Sequence, residues 1–310
     1  MSVDIRDVTL RDGLQLTGGL IPTAEKVAII RELIRLGMPA IEIGSLARPD
    51  LVPPLANTMD VVARLTPEEL ERCWVWIATP RHARRAAEAG IRHMQYCLSV
   101  SPAHNRANIG RDPEDSMSAL PEVLEIAGSN GADVQLCLAT AFTCPFTGDV
   151  DPRAVLELVD DPRAVGVTDV VICDTIGQAT PDRVADLVGT VSDRGDGRGL
   201  VFHGHDTWGL GVANAIAAVS AGATTIDGSL GGLGGCPFAP GASGNTATED
   251  LVFALRPDWL SPQVFADLVR LGQSVVTAAG ETSASRAEKA SRLTPATFPW
   301  ALAAHPSAAR

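Results

Sequence analysis

Short β-branched runs alternate with alanine- and leucine-rich helical patterns along this chain, repeating roughly every 30–40 residues, and that alternation limits the available folds most strongly. It is the mark of repeated βα units and a parallel sheet covered on both faces. Eight strands are expected, near 3–9, 40–44, 73–78, 93–99, 133–139, 168–173, 200–205 and 223–229. Helices over 24–37, 153–160 and 183–194 open with good start signals at Pro22-Thr23, Asp151-Pro152 and Thr180-Pro181-Asp182. Gly37, Gly90, Gly131 and Gly222 follow helical patterns where a left-handed residue is wanted. Eight such units form either an open doubly wound sheet or a closed (β/α)8 TIM barrel.

Beyond residue 257 the pattern becomes purely helical, over 261–279 and 283–291, followed by a Pro/Ala-rich tail. The organisation expected is a barrel domain over 1–257, a short helical extension packed on it over 258–292, and a mobile tail over 293–310. With 310 residues, 45% of them hydrophobic, the chain can bury an ordinary large core.

The formal net charge is −12, which argues against nucleic acid or an anionic membrane as partner, since either needs a basic face. Small molecules are the expected ligands. No basic segment followed by an apolar run opens the chain, and no apolar stretch has the length of a membrane span, so a cytoplasmic protein is expected. Cys73, Cys97, Cys137, Cys144 and Cys173 lie in or near strands without C-x-x-C spacing, as reduced core thiols do. Cys236 is different, because it stands alone between Gly235 and Pro237.

Polar residues gather where strands end. Thr9-Leu10-Arg11-Asp12-Gly13-Leu14-Gln15 places a cation beside a carboxylate, although an Asp-Gly turn with a surface arginine would read the same way. His203-Gly204-His205-Asp206 puts two imidazoles at i and i+2, hence on one side of a strand, which leans towards a metal. Cys173-Asp174-Thr175 supplies another carboxylate, which could equally cap the next helix. The glycine-rich stretch over 231–245 could cradle a phosphate before a helix from Thr246, but a lone cysteine on it reads better as a reactive group on a mobile lid. Only closure of the sheet gathers Asp174, His203, His205, Cys236, Asn245, Arg11, Asp12 and Glu42 into one sector of the C-terminal mouth. Closure is therefore the expectation.

These residues resemble the DRE-TIM metallolyase superfamily, and within it the 3-hydroxy-3-methylglutaryl-CoA lyase family. The likeness rests on residues 9–15, Glu42-Ile43-Gly44-Ser45, Asp174-Thr175-Ile176-Gly177, 203–209 and 231–250, and runs in order over about residues 3–256. The block containing Gly235-Cys236-Pro237 and Ala247-Thr248-Glu249-Asp250 is specific to the lyase branch. The resemblance implies Asp12, His203, His205 and Asn245 as metal ligands, with Mg²⁺ or Mn²⁺ favoured over Zn²⁺. It implies catalytic roles for Arg11 at a developing enolate oxygen, for Cys236 as acid/base, and for Asp174, Glu42 and the ligand His203 around them. No organic cofactor is called for.

The activity so implied is retro-Claisen cleavage of a 3-hydroxy-acyl-CoA to acetyl-CoA and a keto acid, by a protein able to form a homo-oligomer (dimer or tetramer). A citramalyl-CoA lyase and a Claisen-type condensing synthase are the alternatives. The synthase is the less expected of these, because the residues after 257 read as a short helical extension rather than the regulatory domain of the synthases and because of the Cys236 loop. The chain departs from the lyase pattern at Leu16-Thr17, where the family has Asn-Glu, and at 45–50, where Asp50 replaces a lysine. Both departures are expected on the substrate side.

Overall fold

In the computed structural model, which describes residues 3–235 and 244–291, eight parallel strands close into a barrel. They are β1 (Asp4–Asp7), β2 (Ala40–Ser45), β3 (Cys73–Ile77), β4 (His93–Ser99), β5 (Asp133–Ala139), β6 (Asp169–Asp174), β7 (Gly199–Gly204) and β8 (Thr225–Gly228). Closure is made by β1, which pairs with β8 from Asp4↔Thr225 to Asp7↔Gly228 and with β2 at Arg6↔Ala40. The first and last strands are thus neighbours, as the convergence of motifs requires. The helices between strands are interrupted in places by short turns, and no helix among the described residues is long and apolar enough to cross a membrane.

Each strand alternates two kinds of residue, because successive side chains point to opposite faces. Ile5, Ile41, Met94, Leu136, Ile172, Phe202 and Ile226 point outward into the main core against the helices. That shell explains the apolar stripes of the helices, such as Val27, Ile30 and Leu33 on the helix Thr23–Arg35. The opposite set fills the barrel. Its apolar members, Trp76, Ala78, Cys97, Cys137, Ala139, Val171, Cys173 and Val201, form a second, smaller cluster.

The remaining interior positions are polar, which strand periodicity alone did not anticipate. Arg6 is 1% exposed and donates from Nε and Nη2 to the two carboxylate oxygens of Asp227, both at 2.8 Å. Its other N–H groups reach Gln135 Oε1 at 2.5 Å and Gln95 Oε1 at 2.8 Å, and Gln95 in turn donates to Glu42 Oε1 at 2.8 Å. A buried guanidinium and carboxylate are tolerable here because each is paired and almost every donor is satisfied.

Two expectations need adjusting, and one small element was not anticipated. The first strand stops at Asp7, and Thr9–Gly13 forms a π-helical turn instead, with the Gly13 N–H donating to Val8 O at 3.1 Å. The final barrel helix begins at Thr248, because Ser229 pairs with Ala247 and holds the preceding backbone extended. A two-stranded hairpin, Thr143–Cys144 with Gly148–Asp149, follows β5, and its two-residue strands are too short to leave a periodic signal.

Helices Pro262–Ala279 and Arg286–Ala290 lie where helical pattern was read near the end of the chain. Asp250 secures the second of them by accepting from the N–H groups of Arg286 and Ala287. Glu249 is buried under the first, and both its oxygens accept the Gly231 N–H at 3.0 Å. Gly272 faces it because a Cβ there would come within 1.9 Å of Glu249 Oε1. Gly231 itself has φ +62°, and an added Cβ would meet Val276 at 2.3 Å, so only glycine suits this crossing.

Replacing Arg6 with methionine should cost about 3–5 kcal/mol in urea unfolding, because Asp227 is left buried without its partner. An unchanged midpoint would contradict that role. A second prediction concerns Glu249, whose pKa burial raises from 4.5 to about 8. Below the lower value both states are protonated; between the two the folded protein keeps a proton that the unfolded chain has lost. Stability therefore falls as pH rises through this window and levels off above it. Glu249→Gln should flatten that part of the stability–pH curve, and an unaltered slope would exclude Glu249 as its source.

Candidate active site

The π-turn after β1 turns Arg11 and Asp12 into the C-terminal mouth. It is fixed from two sides: Asp7 accepts the Thr9 N–H at 3.1 Å and the Thr248 hydroxyl at 2.7 Å, while Thr9 Oγ1 accepts the Leu230 N–H at 2.7 Å. Strand β7 delivers His203, and His205 follows it in a bridge to Asn245. One ligand atom each from Asp12, His203 and His205 lie within 4.8 Å of one another, all three residues being buried.

Asp12 is the charged centre of this group. Burial alone would raise its pKa, but Arg11 and the neighbouring imidazoles of His205 and His203 outweigh it and hold the carboxyl well below the usual carboxylate range. Arg11 Nη1 contacts Asp12 Oδ2, and Arg11 Nε stands 3.5 Å from Glu42 Oε2. His205 Nε2 is 3.6 Å from Asp12 Oδ1. The Arg11 guanidinium also lies 5.8 Å from the centre of the Trp76 ring.

His203 is oriented by a residue that sequence reasoning missed. Its Nδ1 lies 3.1 Å from Asp227 Oδ2, so the carboxylate accepts a hydrogen bond from Nδ1–H and the Nε2 lone pair is left to face the mouth. Burial works against protonation of His203, but Asp227 and Asp12 raise its pKa on balance. Asp227 is in turn clamped by Arg6, and the interior polar network ends at the site. The available signal was an acidic residue at an inward position of β8, one strand from the histidines.

The other expected residues divide. Glu42 is buried beside Arg11 and Gln95, and burial raises its pKa despite Arg11 and Arg6. Asp174 spends both oxygens on the backbone N–H groups of Gln178 and Ala179, each at 3.0 Å, and so shapes the loop after β6. Asn245 donates from Nδ2 to Asp12 Oδ1 and to Leu233 O, both at 2.9 Å, and its buried Oδ1 has no hydrogen-bond partner. Cys236 lies outside the described residues, within 236–243.

A cavity of about 350 Å³ opens over this group, lined on the near side by Arg11, Asp12, Gln15, His203 and His205. Leu16 and Thr17 are not among its lining residues. The chain turns back after Leu14, and the Thr17 hydroxyl donates to Leu14 O at 2.9 Å, so this departure falls beside the cavity rather than in it. Asp50 is exposed and paired with Arg48 at 2.5 Å.

Two imidazoles and a carboxylate, with an unpartnered amide oxygen next to them, fit a divalent cation. Fold and site together define a TIM barrel whose C-terminal mouth carries a candidate divalent-metal site. The HMGL-like family model matches residues 2–275. Hydroxymethylglutaryl-CoA lyase YngG of Bacillus subtilis is 36% identical, over 82% of this chain and 85% of its own. The (R)-citramalyl-CoA lyase of Chloroflexus aurantiacus is 37% identical, over 81% of this chain and 82% of its own. An HMG-CoA lyase structure from Acinetobacter baumannii, solved with coenzyme A and 3-methylmalate, superposes with a TM-score of 0.88 at 34% identity, covering 94% of this chain and 96% of that one. The chain belongs to the HMGL-like family and is a carbon–carbon lyase.

Because Asp227 fixes the tautomer of His203, Asp227→Asn should weaken Mn²⁺ binding by roughly 10–100-fold in calorimetry. Wild-type affinity in that variant would remove Asp227 from the site's support.

Proposed function

We propose that this protein cleaves a 3-hydroxy-acyl-CoA of the 3-hydroxy-3-methylglutaryl-CoA type into acetyl-CoA and a keto acid, using one divalent cation, Mg²⁺ or Mn²⁺. The observation that carries the reading is the grouping of Asp12, His203 and His205 within 4.8 Å, beside Arg11 and under an open cavity. The names of the relatives, and the coenzyme A in the A. baumannii structure, support an acyl-CoA as the substrate.

Asp12, His203 and His205 would hold the cation, with Asn245 Oδ1 as a further ligand. The cation, when bound, supplies Lewis-acid polarisation of the C3 hydroxyl. Asp12 is suited to its part because it is ionised, and His203 because Asp227 directs its free nitrogen to the mouth.

The hydroxyl proton leaves to a base, the C3–O bond becomes a carbonyl, and the C2–C3 bond breaks with its electron pair passing to the thioester enolate. Arg11 offsets the charge that develops on the enolate oxygen, in a place where burial strengthens the interaction. Glu42 keeps the Arg11 side chain in position, and Asp174 holds the loop that carries Thr175 to the cavity. Cys236 would return a proton to C2 of the enolate, completing acetyl-CoA.

Mass spectrometry of products from 3-hydroxy-3-methylglutaryl-CoA and citramalyl-CoA tests the reading. Acetyl-CoA should form, cease after exhaustive chelation and return on adding Mn²⁺ or Mg²⁺; full turnover in chelator would sink the metal-dependent reading. Cys236→Ser should retain Mn²⁺ affinity and lose about 10²–10⁴ in kcat, since positioned proton transfer is worth that much. Unchanged turnover would refute the acid/base role.

A further inference from the structure

Of the 25 lysines and arginines in the chain, only Lys26 and Lys289 are lysines. Lys289 is exposed, whereas Lys26 is 1% exposed. A buried position that keeps lysine in so arginine-rich a chain suits a compact ammonium rather than a planar fork. Lys26 Nζ donates to Pro54 O at 2.6 Å and to Asn57 Oδ1 at 2.7 Å. Both acceptors are neutral, and burial is the sole cause that lowers the Lys26 pKa from 10.5 to about 8, with no carboxylate opposing it. Burying a cation without a counter-ion is costly, so what the position gains is the hold on these two oxygens.

Pro54 belongs to the turn Pro53–Leu55, in the connection from β2 to the helix Thr58–Val62. Leu51, Val52 and Leu55 of that connection line the cavity. Two consecutive prolines bring no N–H, so the turn has few backbone donors with which to fix itself. It is held from two sides instead. Thr58 Oγ1 donates to Leu55 O at 2.7 Å and accepts the Ser45 N–H at 3.2 Å, which ties the turn to the end of β2. Lys26 ties it to the helix Thr23–Arg35. Asn57 completes this second tie, since its Nδ2 donates to Ile21 O at 3.2 Å and to Thr23 Oγ1 at 3.1 Å and leaves Oδ1 to the ammonium.

We propose that Lys26 is a positioning residue of the substrate cavity: through Pro54 O and Asn57 it sets the place of Val52 and Leu55, and with it the affinity for the substrate. Lys26 itself does not line the cavity. The carbonyl it holds lies between Val52 and Leu55 in the chain, so any shift of Pro54 moves wall residues on both sides. The cleavage step is left to other groups, because the hydrogen bonds of Lys26 and Asn57 run to the turn and to the start of the helix Thr23–Arg35, not to Arg11, Asp12, His203 or His205. The proposal rests on the lyase reading above for the identity of the ligand.

Two measurements on Lys26→Met test it. Hydrogen exchange followed by mass spectrometry reads the amides of Leu51, Val52, Leu55 and Ala56, each of which donates within the connection. They should exchange about tenfold faster than in the wild type, since the local opening that limits them becomes easier. Steady-state kinetics with whichever of 3-hydroxy-3-methylglutaryl-CoA and citramalyl-CoA yields acetyl-CoA should show KM raised about tenfold and kcat within about threefold, the pattern of lost uniform binding. An unchanged KM, or a fall in kcat at constant KM, would overturn the proposal. So would a raised KM with unaltered exchange over residues 51–56, because the effect would then run by another route.

Should Lys26→Met not fold, Asn57→Ala decides. It leaves Lys26 on Pro54 O and removes the other acceptor together with the bonds to Ile21 and Thr23, so KM should rise by about threefold with kcat kept. A wild-type KM in that variant would overturn the proposal. Absence of acetyl-CoA from both thioesters with the wild-type protein would overturn the lyase reading and the substrate role given to Lys26 with it. Exchange needs no substrate, so a Lys26→Met result unchanged over 51–56 overturns the proposal while leaving the lyase reading intact.

Discussion

The ion pair between Arg6 and Asp227, buried in the barrel, is the interaction on which the site depends. Two 2.8 Å hydrogen bonds fix the Asp227 carboxylate, and one of its oxygens faces His203 Nδ1. Removing Arg6 would leave a buried carboxylate to find another partner, and the nearest imidazole would be the one to respond. A structural ion pair and a ligand orientation are here the same contact. Its cost is offset by dense satisfaction of donors, since Arg6 also reaches Gln135 and Gln95, and Gln95 passes the network to Glu42.

From that base the charges at the mouth follow. Asp12 is buried, yet the cationic neighbours keep it ionised, and an ionised carboxylate beside two imidazoles is what a divalent cation requires. Arg11 lies between Asp12 and Glu42, so its charge is available at the cavity without being free to wander. The backbone that presents Asn245 is set by different means: Glu249 holds Gly231 from beneath, and Gly272 and Gly231 allow the helix Pro262–Ala279 to approach closely enough to cover it. The helical extension thus contributes to the loop preceding Cys236.

Much of this was legible in the sequence. The eight strands lie close to the expected segments because outward-facing residues such as Ile41, Met94 and Phe202 make strong local signals. The gathering of Asp12, His203 and His205 was readable because each ends or follows a strand, and barrel closure alone makes those ends adjacent. The interior was not readable. Arg6, Gln95, Gln135 and Asp227 stand as single polar residues in separate strands, and their partnership is created only by contact across the barrel. The π-turn at Thr9–Gly13 was hidden too, because an extended strand and a turn of five residues place the same Arg-Asp-Gly sequence at the mouth. Asp174 shows the opposite difficulty: a carboxylate at a strand end has the same sequence appearance whether it faces substrate or, as its bonds to Gln178 and Ala179 indicate, supports the loop.

The central claim is that Asp12, His203 and His205 form the cation site of a lyase, supported from within the barrel by Asp227. Anomalous diffraction from crystals soaked in Mn²⁺ tests it most directly. The account predicts one strong peak bounded by these three side chains, with ligand distances of about 2.0–2.3 Å and His203 bound through Nε2 while Nδ1 stays on Asp227. A peak held by other residues, or none at the mouth under saturating Mn²⁺, would contradict it.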